Sequence, residues 1–203
     1  MLSLEKEEIR KAVVILRKGG VVVFPTETAY GIAADATNTR AVEKVMAIKG
    51  RATGKAPPLI VADLKMAEKH ALLSPIFDQL ISSFWPGPLT IVSPIRKEST
   101  LSSLVVQDNT IAVRVSSHPI AQALSQLLNV PIVATSANLA GESPCYDIES
   151  VKRQFKSQLL LPDLYLDGGV LPIRQPSTII TEKNGRTVVL RQGEITIPQT
   201  YVA

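Results

Sequence analysis

The stretch that most constrains this chain is Val21-Val22-Val23-Phe24 followed directly by Pro25-Thr26-Glu27-Thr28-Ala29-Tyr30-Gly31. Four consecutive β-branched or aromatic residues read as a buried strand. The next seven bring two hydroxyls, a carboxylate and a phenol. A strand that runs out into a polar loop is where open α/β sheets hold ligands, beyond the carboxyl ends of their strands. The loop therefore reads as one wall of a small-molecule site, and the rest of the chain must supply the others.

The flanking segments fit an α/β protein. Ile9, Ala12, Val13 and Leu16 recur at helical spacing, and Gly19-Gly20 stops that helix before the strand. A second helix, capped by Asn38 or Thr39, carries Val42, Val45 and Met46 and ends near Lys49-Gly50-Arg51. Leu59-Ile60-Val61, Leu89 to Val92, Ile111 to Val115 and Pro131 to Ala134 read as strands. Helices are expected over residues 64–72, 75–84 and 119–128, the last burying Ile120, Ala123, Leu124 and Leu127. Asp147 caps another helix. Leu164 to Leu166 is a short strand. Asn184-Gly185 between Thr178-Ile179-Ile180 and Val188-Val189-Leu190 is a type I′ hairpin signal. The expectation is one α/β domain over residues 1–203. Its mixed sheet has parallel strands first and an antiparallel hairpin last.

Composition narrows the function classes. The 203 residues carry a net charge of +4, from 22 Lys+Arg against 18 Asp+Glu. That mild excess suits a phosphate-bearing ligand or RNA without requiring either. A single cysteine, Cys145, leaves no partner for an intramolecular disulfide, and with two histidines it excludes the common Cys/His zinc patterns. Cys145 reads as a buried thiol, and His118 as a structural residue at a helix start. No secretory leader or run of about 18 apolar residues is evident, so a cytoplasmic setting is expected.

Polar residues collect at the ends of elements: Thr26 to Tyr30, Lys49-Gly50-Arg51, Thr135-Ser136-Ala137-Asn138 and Pro176-Ser177-Thr178. Singly each has a bland reading. Lys-x-Arg complements a helix dipole, and Ser-x-Asn makes turn bonds. Arg114, inside an apolar strand, needs an anion; Asp108 and Glu27 are the candidates within the chain. Walker A and G-x-G-x-x-G sequences are missing.

Taken in order, the segments resemble the YrdC family, the threonylcarbamoyl-AMP synthases. The matching stretches are Pro25 to Gly31, Lys49-Gly50-Arg51, Pro58-Leu59-Ile60, Trp85-Pro86-Gly87-Pro88-Leu89-Thr90, Thr110 to Val115, His118-Pro119, Ser136-Ala137-Asn138, Leu166-Asp167-Gly168-Gly169, Ser177-Thr178 and Leu190-Arg191-Gln192-Gly193. They span about residues 20–195. The resemblance implies a YrdC-like twisted mixed sheet with a basic concave face.

It also implies a nucleotidyltransferase that makes L-threonylcarbamoyladenylate and pyrophosphate from L-threonine, bicarbonate and ATP. Mg²⁺ is held mainly by the phosphates. Partner proteins then transfer the threonylcarbamoyl group to the adenosine beside the anticodon of tRNA. The implied residue roles follow by motif position. Lys49 and Arg51 act at the reacting centre, and Lys49, Arg51, Lys55, Thr110, Ser136, Asn138, Pro144 and Arg191 bind ATP. Thr28, Tyr30, Arg114, the Ala134 backbone and Ser177 bind threonine, so that Arg114 meets the substrate carboxylate. The match departs from the usual pattern at Ala52, where many members have proline, and through a slightly longer loop to Pro57. The chain ends soon after Arg191, as in a short single-domain form. Two other readings compete. One is a non-catalytic factor that binds tRNA or double-stranded RNA in ribosome maturation, disfavoured by the 4% aromatic content. The other is carbamoyl transfer from a different donor.

Overall fold

The computed structural model describes residues 3–50 and 55–201, with side chains from Lys6 onward. Helix α1 (Ser3–Arg17) leads into a hairpin of β1 (Val22–Pro25) and β2 (Tyr30–Ala33). Then come α2 (Thr39–Ile48), β3 (Leu59–Ile60), α3 (Leu64–His70), α4 (Asp78–Phe84), β4 (Leu89–Pro94), β5 (Thr110–Arg114) and α5 (Pro119–Leu128). Strands β6 (Ile132–Val133) and β7 (Thr135–Ser136), helix α6 (Ile148–Phe155), and strands β8 (Leu164–Tyr165), β9 (Thr178–Lys183) and β10 (Arg186–Arg191) complete the order. The α/β class and the mixed strand directions agree with the expectation.

The strands form two sheets, with orders β7-β2-β1-β8 and β10-β9-β4-β5-β3-β6. Parallel pairs (β1 with β8, β3 with β5, β4 with β9) mix with antiparallel ones. Antiparallel pairing already begins at β1 and β2, so the stretch expected as a loop is a tight hairpin, with Tyr30 and Gly31 in its second strand. The sheets meet at an isolated bridge between Asp35 and Ile132. There the chain leaves β6, passes Ala134, and joins the other sheet as β7, which pairs Ser136 with Gly31. That change of sheet opens the space that the site uses.

Burial follows side-chain period. Ile9, Ala12, Val13 and Leu16 are all buried, packed with Val22, Phe24, Ile60, Ile132 and the inner face of α5. Each such side chain removed from water contributes roughly 1.5–3 kcal/mol. On α5 the buried face is Ile120, Ala121, Leu124, Ser125 and Leu128, whereas Leu127 is exposed. The expected stripe is rotated because α1 approaches α5 from the side of Ala121 and Leu128. Arg17 Nη2 then donates to the Leu127 carbonyl at 2.6 Å.

The caps come out as read. Asn38 accepts from Ala41 N, Asp147 from Ser150 N, and His118 Nδ1 from Ile120 N. Asn184 and Gly185 both have positive φ, as a type I′ turn demands. Cys145 is buried. Among the described residues, no helix is long and apolar enough to cross a membrane.

Candidate active site

The hairpin tip is organised by Thr26. Its hydroxyl donates to Ala29 O at 2.7 Å and accepts from Thr28 N and Ala29 N at 3.2 and 3.3 Å. It also lies 3.1 Å from the Thr28 hydroxyl. A threonine that bonds its own turn in this way holds the backbone between two strands. The turn aims Glu27 at the end of β5. Glu27 Oε1 pairs with Arg114 Nη1, and Oε2 accepts from the Ser116 hydroxyl. The side chains of Arg114 and Glu27 are 8% and 10% exposed, so the pair is buried. Of the two intrachain partners weighed for Arg114, the structure selects Glu27.

On the other side of the hairpin, Lys49 closes helix α2 as its C-cap. The chain stays close there: Ala140 N donates to Lys49 O at 2.9 Å. The Lys49 ammonium reaches the carbonyls of Ser136 and Asn138, the latter at 2.8 Å. Asn138 Nδ2 donates to Leu139 O and Glu142 O at 2.9 and 2.7 Å. Those two carbonyls settle the amide orientation, since a flipped amide would set oxygen against oxygen. Asn138 Oδ1 is buried and has no hydrogen-bond partner among the described residues. A buried acceptor without a partner costs about 1–3 kcal/mol, so this oxygen calls for a donor or a cation.

The third wall comes from the closing strands. Arg191 on β10 donates from Nε and Nη2 to Ser177 O at 3.1 and 2.7 Å, and from Nη2 to Ser177 Oγ at 3.0 Å. Ser177 Oγ lies 2.9 Å from Thr90 Oγ1. A Cβ on Gly193 would fall 2.1 Å from Pro176 O, so only glycine lets this turn press the Ser177 backbone into place.

These walls enclose a cavity of about 540 Å³, within the usual range for a small-ligand site. Thr28, Tyr30, Lys49, Arg114, Ala134, Ser136, Asn138, Pro144, Ser177 and Arg191 all line it. Two expected residues, Thr110 and Lys55, stand apart. A third, Arg51, lies outside the described residues, as do Ala52, Thr53 and Gly54. Thr110 shares the face of β5 with Arg114 but sits at the strand's other end, about 13 Å away at ~3.3 Å per residue. Its hydroxyl donates to Gln107 O. Lys55 lies toward the same end, where Ala56 N meets Gln107 Oε1 at 3.4 Å. Neither Thr110 nor Lys55 lines the cavity; β5 runs toward it, and its last residue, Arg114, reaches the wall.

The sequence reading missed Arg174, Tyr146 and Thr90, which also line the cavity. Thr90 is in a matching segment but is a single hydroxyl in an apolar strand. Arg174 lies in an irregular loop just before the Pro176 cluster, and its only signal was that proximity. It pairs with Glu194 at 3.7 Å and is half-exposed.

Burial sets the titration behaviour. It lowers the Arg114 pKa, partly offset by Glu27. Burial, then the nearby Arg114, lowers that of Arg191. Two guanidiniums that feel one another, with one buried carboxylate, leave this part of the cavity with net positive charge. Burial pushes the Tyr30 phenol up to about 12. Its hydroxyl donates to Gly169 O at 2.8 Å and accepts from Gly168 N at 2.9 Å. Tyr30 thus also ties the 167–169 loop to the cavity, beyond the packing role expected of it.

The profile of the Sua5/yciO/yrdC family, described as telomere recombination, matches residues 14–193. The chain belongs to this family. Among solved members, it is 33% identical to P. abyssi Sua5 complexed with L-threonine, with a TM-score of 0.84 over 92% of this chain. It spans only 54% of that Sua5 chain. It is 30% identical to E. coli YciO, with a TM-score of 0.83, covering 97% of this chain and 93% of the other. A HypF structure at 22% identity and TM-score 0.81 shares the fold, covering 92% of this chain and 29% of its own.

Proposed function

We propose that this protein is a threonylcarbamoyl-AMP synthase. It would make L-threonylcarbamoyladenylate and pyrophosphate from L-threonine, bicarbonate and ATP. The observation that carries the reading is one cavity lined by Arg114, Arg174 and Arg191 together with Lys49 and Asn138. The Sua5 relative complexed with L-threonine supports an amino acid beside Arg114.

The chemistry asks for positioned cations and donors rather than a protein nucleophile. Arg114 and Ser177 hold the threonine carboxylate and Thr28 its polar side, leaving the amine toward the cavity centre. The amine forms a C–N bond with the carbon of bicarbonate-derived CO₂ and loses a proton, giving a carbamate. A carbamate oxygen then bonds the α-phosphorus of ATP, and the bond from that phosphorus to the bridging oxygen of the β-phosphate breaks. Lys49, Ser136 and Asn138 face the triphosphate, with Arg51 expected beside them. Arg191 and the half-exposed Arg174 add positive charge near the nucleotide.

Among the described residues, no group of three or more His, Cys, Asp or Glu could cage a metal ion. Asn138 Oδ1, without a partner among the described residues, is a hard oxygen suited to Mg²⁺ otherwise ligated by phosphates and water. Bound there, Mg²⁺ would supply charge neutralisation for the departing pyrophosphate. The product is a mixed anhydride, so a downstream transferase must consume it, with tRNA as the final acceptor and the cytoplasm as the setting.

The test is direct. The pure protein is incubated with ATP, Mg²⁺, bicarbonate and labelled threonine, and threonylcarbamoyl-adenylate and pyrophosphate are measured. Equal product with serine or with no amino acid overturns the specificity. Salt-sensitive RNA binding without pyrophosphate release would favour the RNA-binding reading instead.

A further inference from the structure

Arg114 is 7% exposed, yet among the described residues it bonds one side chain, Glu27, through Nη1 alone. A guanidinium has five N–H donors in a rigid fork. Nε and Nη2 therefore bond no described residue, while the side chain lines the cavity. What keeps this fork from rotating is Glu27. Its second oxygen is fixed by the Ser116 hydroxyl, and Ser116 Oγ in turn accepts from His118 N at 3.2 Å, one residue before α5. The Thr26 turn fixes the other end of Glu27. The carboxylate is thus braced from two elements, and it clamps one corner of the guanidinium.

We propose that Glu27, braced by Ser116, is a positioning residue for the amino-acid substrate. It locks Arg114 so that Nε and Nη2 meet the substrate carboxylate as a ready-made pair. This rests on the synthase reading, in which that carboxylate belongs to threonine. Glu27 itself touches no substrate. Its effect is confined to the amino-acid end, because Lys49 and Asn138 draw on β7 and α2.

The experiment measures KM for threonine, KM for ATP and kcat in wild type, E27A, E27Q and S116A, with folding checked by circular dichroism. E27A should raise the threonine KM about 10–30-fold, the loss expected when the Arg114 fork is no longer held in its pose, while the ATP KM moves less than about twofold. E27Q keeps an oxygen for Nη1 and gains an amide donor for Ser116 Oγ, so it should recover most of the threonine affinity. S116A should raise the threonine KM roughly threefold, the loss of one hydrogen bond. If E27A does not fold, S116A decides. Wild type with no saturable threonine dependence overturns the synthase reading and this inference together. Wild type that saturates while folded E27A and S116A keep its threonine KM, or raise the ATP KM equally, overturns the inference alone.

Discussion

The two ends of the cavity are built differently. At the proposed amino-acid end, side chains hold side chains: Thr26 sets the turn, Glu27 clamps Arg114, and Thr90 meets Ser177. At the proposed phosphate end, Lys49 reaches the backbone carbonyls of Ser136 and Asn138, and Asn138 Oδ1 has no partner among the described residues. A small zwitterion with one correct pose profits from a rigid fork. A triphosphate whose charge shifts during reaction profits from a cation whose donors can redirect. The difference predicts that damage at one end appears in KM for threonine, and at the other in turnover.

The strongest test of that division is Lys49→Ala. Losing a charge-stabilising donor at the reacting centre should lower kcat about 10²–10³-fold, with the threonine KM changed much less. A loss under tenfold in pyrophosphate release would move the reacting centre elsewhere. Arg114→Ala should come next. We expect the threonine KM to rise roughly 30–100-fold and thermal stability to fall, because Glu27 is left buried and uncompensated at a cost of about 3–5 kcal/mol. An equal effect on ATP would erase the distinction between the ends.

Asn138→Ala should raise the half-saturating Mg²⁺ concentration about tenfold, in the range typical of groups that tune a metal site. No change in Mg²⁺ dependence would assign Oδ1 to a ligand N–H instead.

Tyr30 gives a pH signature. Its phenol titrates near 10 when unfolded and at about 12 when folded. The raised value means that its stabilisation is complete below pH 10 and is lost as pH climbs toward 12. Tyr30→Phe should be about 1–2 kcal/mol less stable at pH 8, with the gap to wild type narrowing above pH 10. A constant gap in denaturant unfolding would deny the phenol that role. Smallest of all, Thr110→Val should move the ATP KM no more than about twofold, the size of a marginal hydrogen bond. A tenfold change would show that the nucleotide reaches the far end of β5.

Much of this was legible in advance for local reasons. Side-chain period exposes the stripe of α1, Asn38 and Asp147 announce their caps, and Asn184-Gly185 dictates its turn. These depend on neighbours within a few residues. The candidate site was legible as a set of polar clusters at element ends, and ten of its expected residues do converge. The rest depended on long-range placement. Val21 to Gly31 looked like strand and loop because a hairpin's second strand of Tyr30 and Gly31 carries no clear alternation. Leu127 looked buried because a helix shows its apolar arc but not the direction from which α1 arrives. Arg174 had no pattern around it at all.

The amino-acid sequence by itself determined the α/β class, the helix caps, the closing hairpin and the family's motifs, because each is written in residues close along the chain. Only the tertiary structure decided which anion Arg114 meets first, which carbonyls hold Lys49, and that Thr110 stands apart from the cavity. Those contacts join residues 87 or more positions apart in the cases of Arg114 with Glu27 and Lys49 with Ser136. Their energy depends on distance and burial after two sheets have met, and neither quantity exists until the chain has folded.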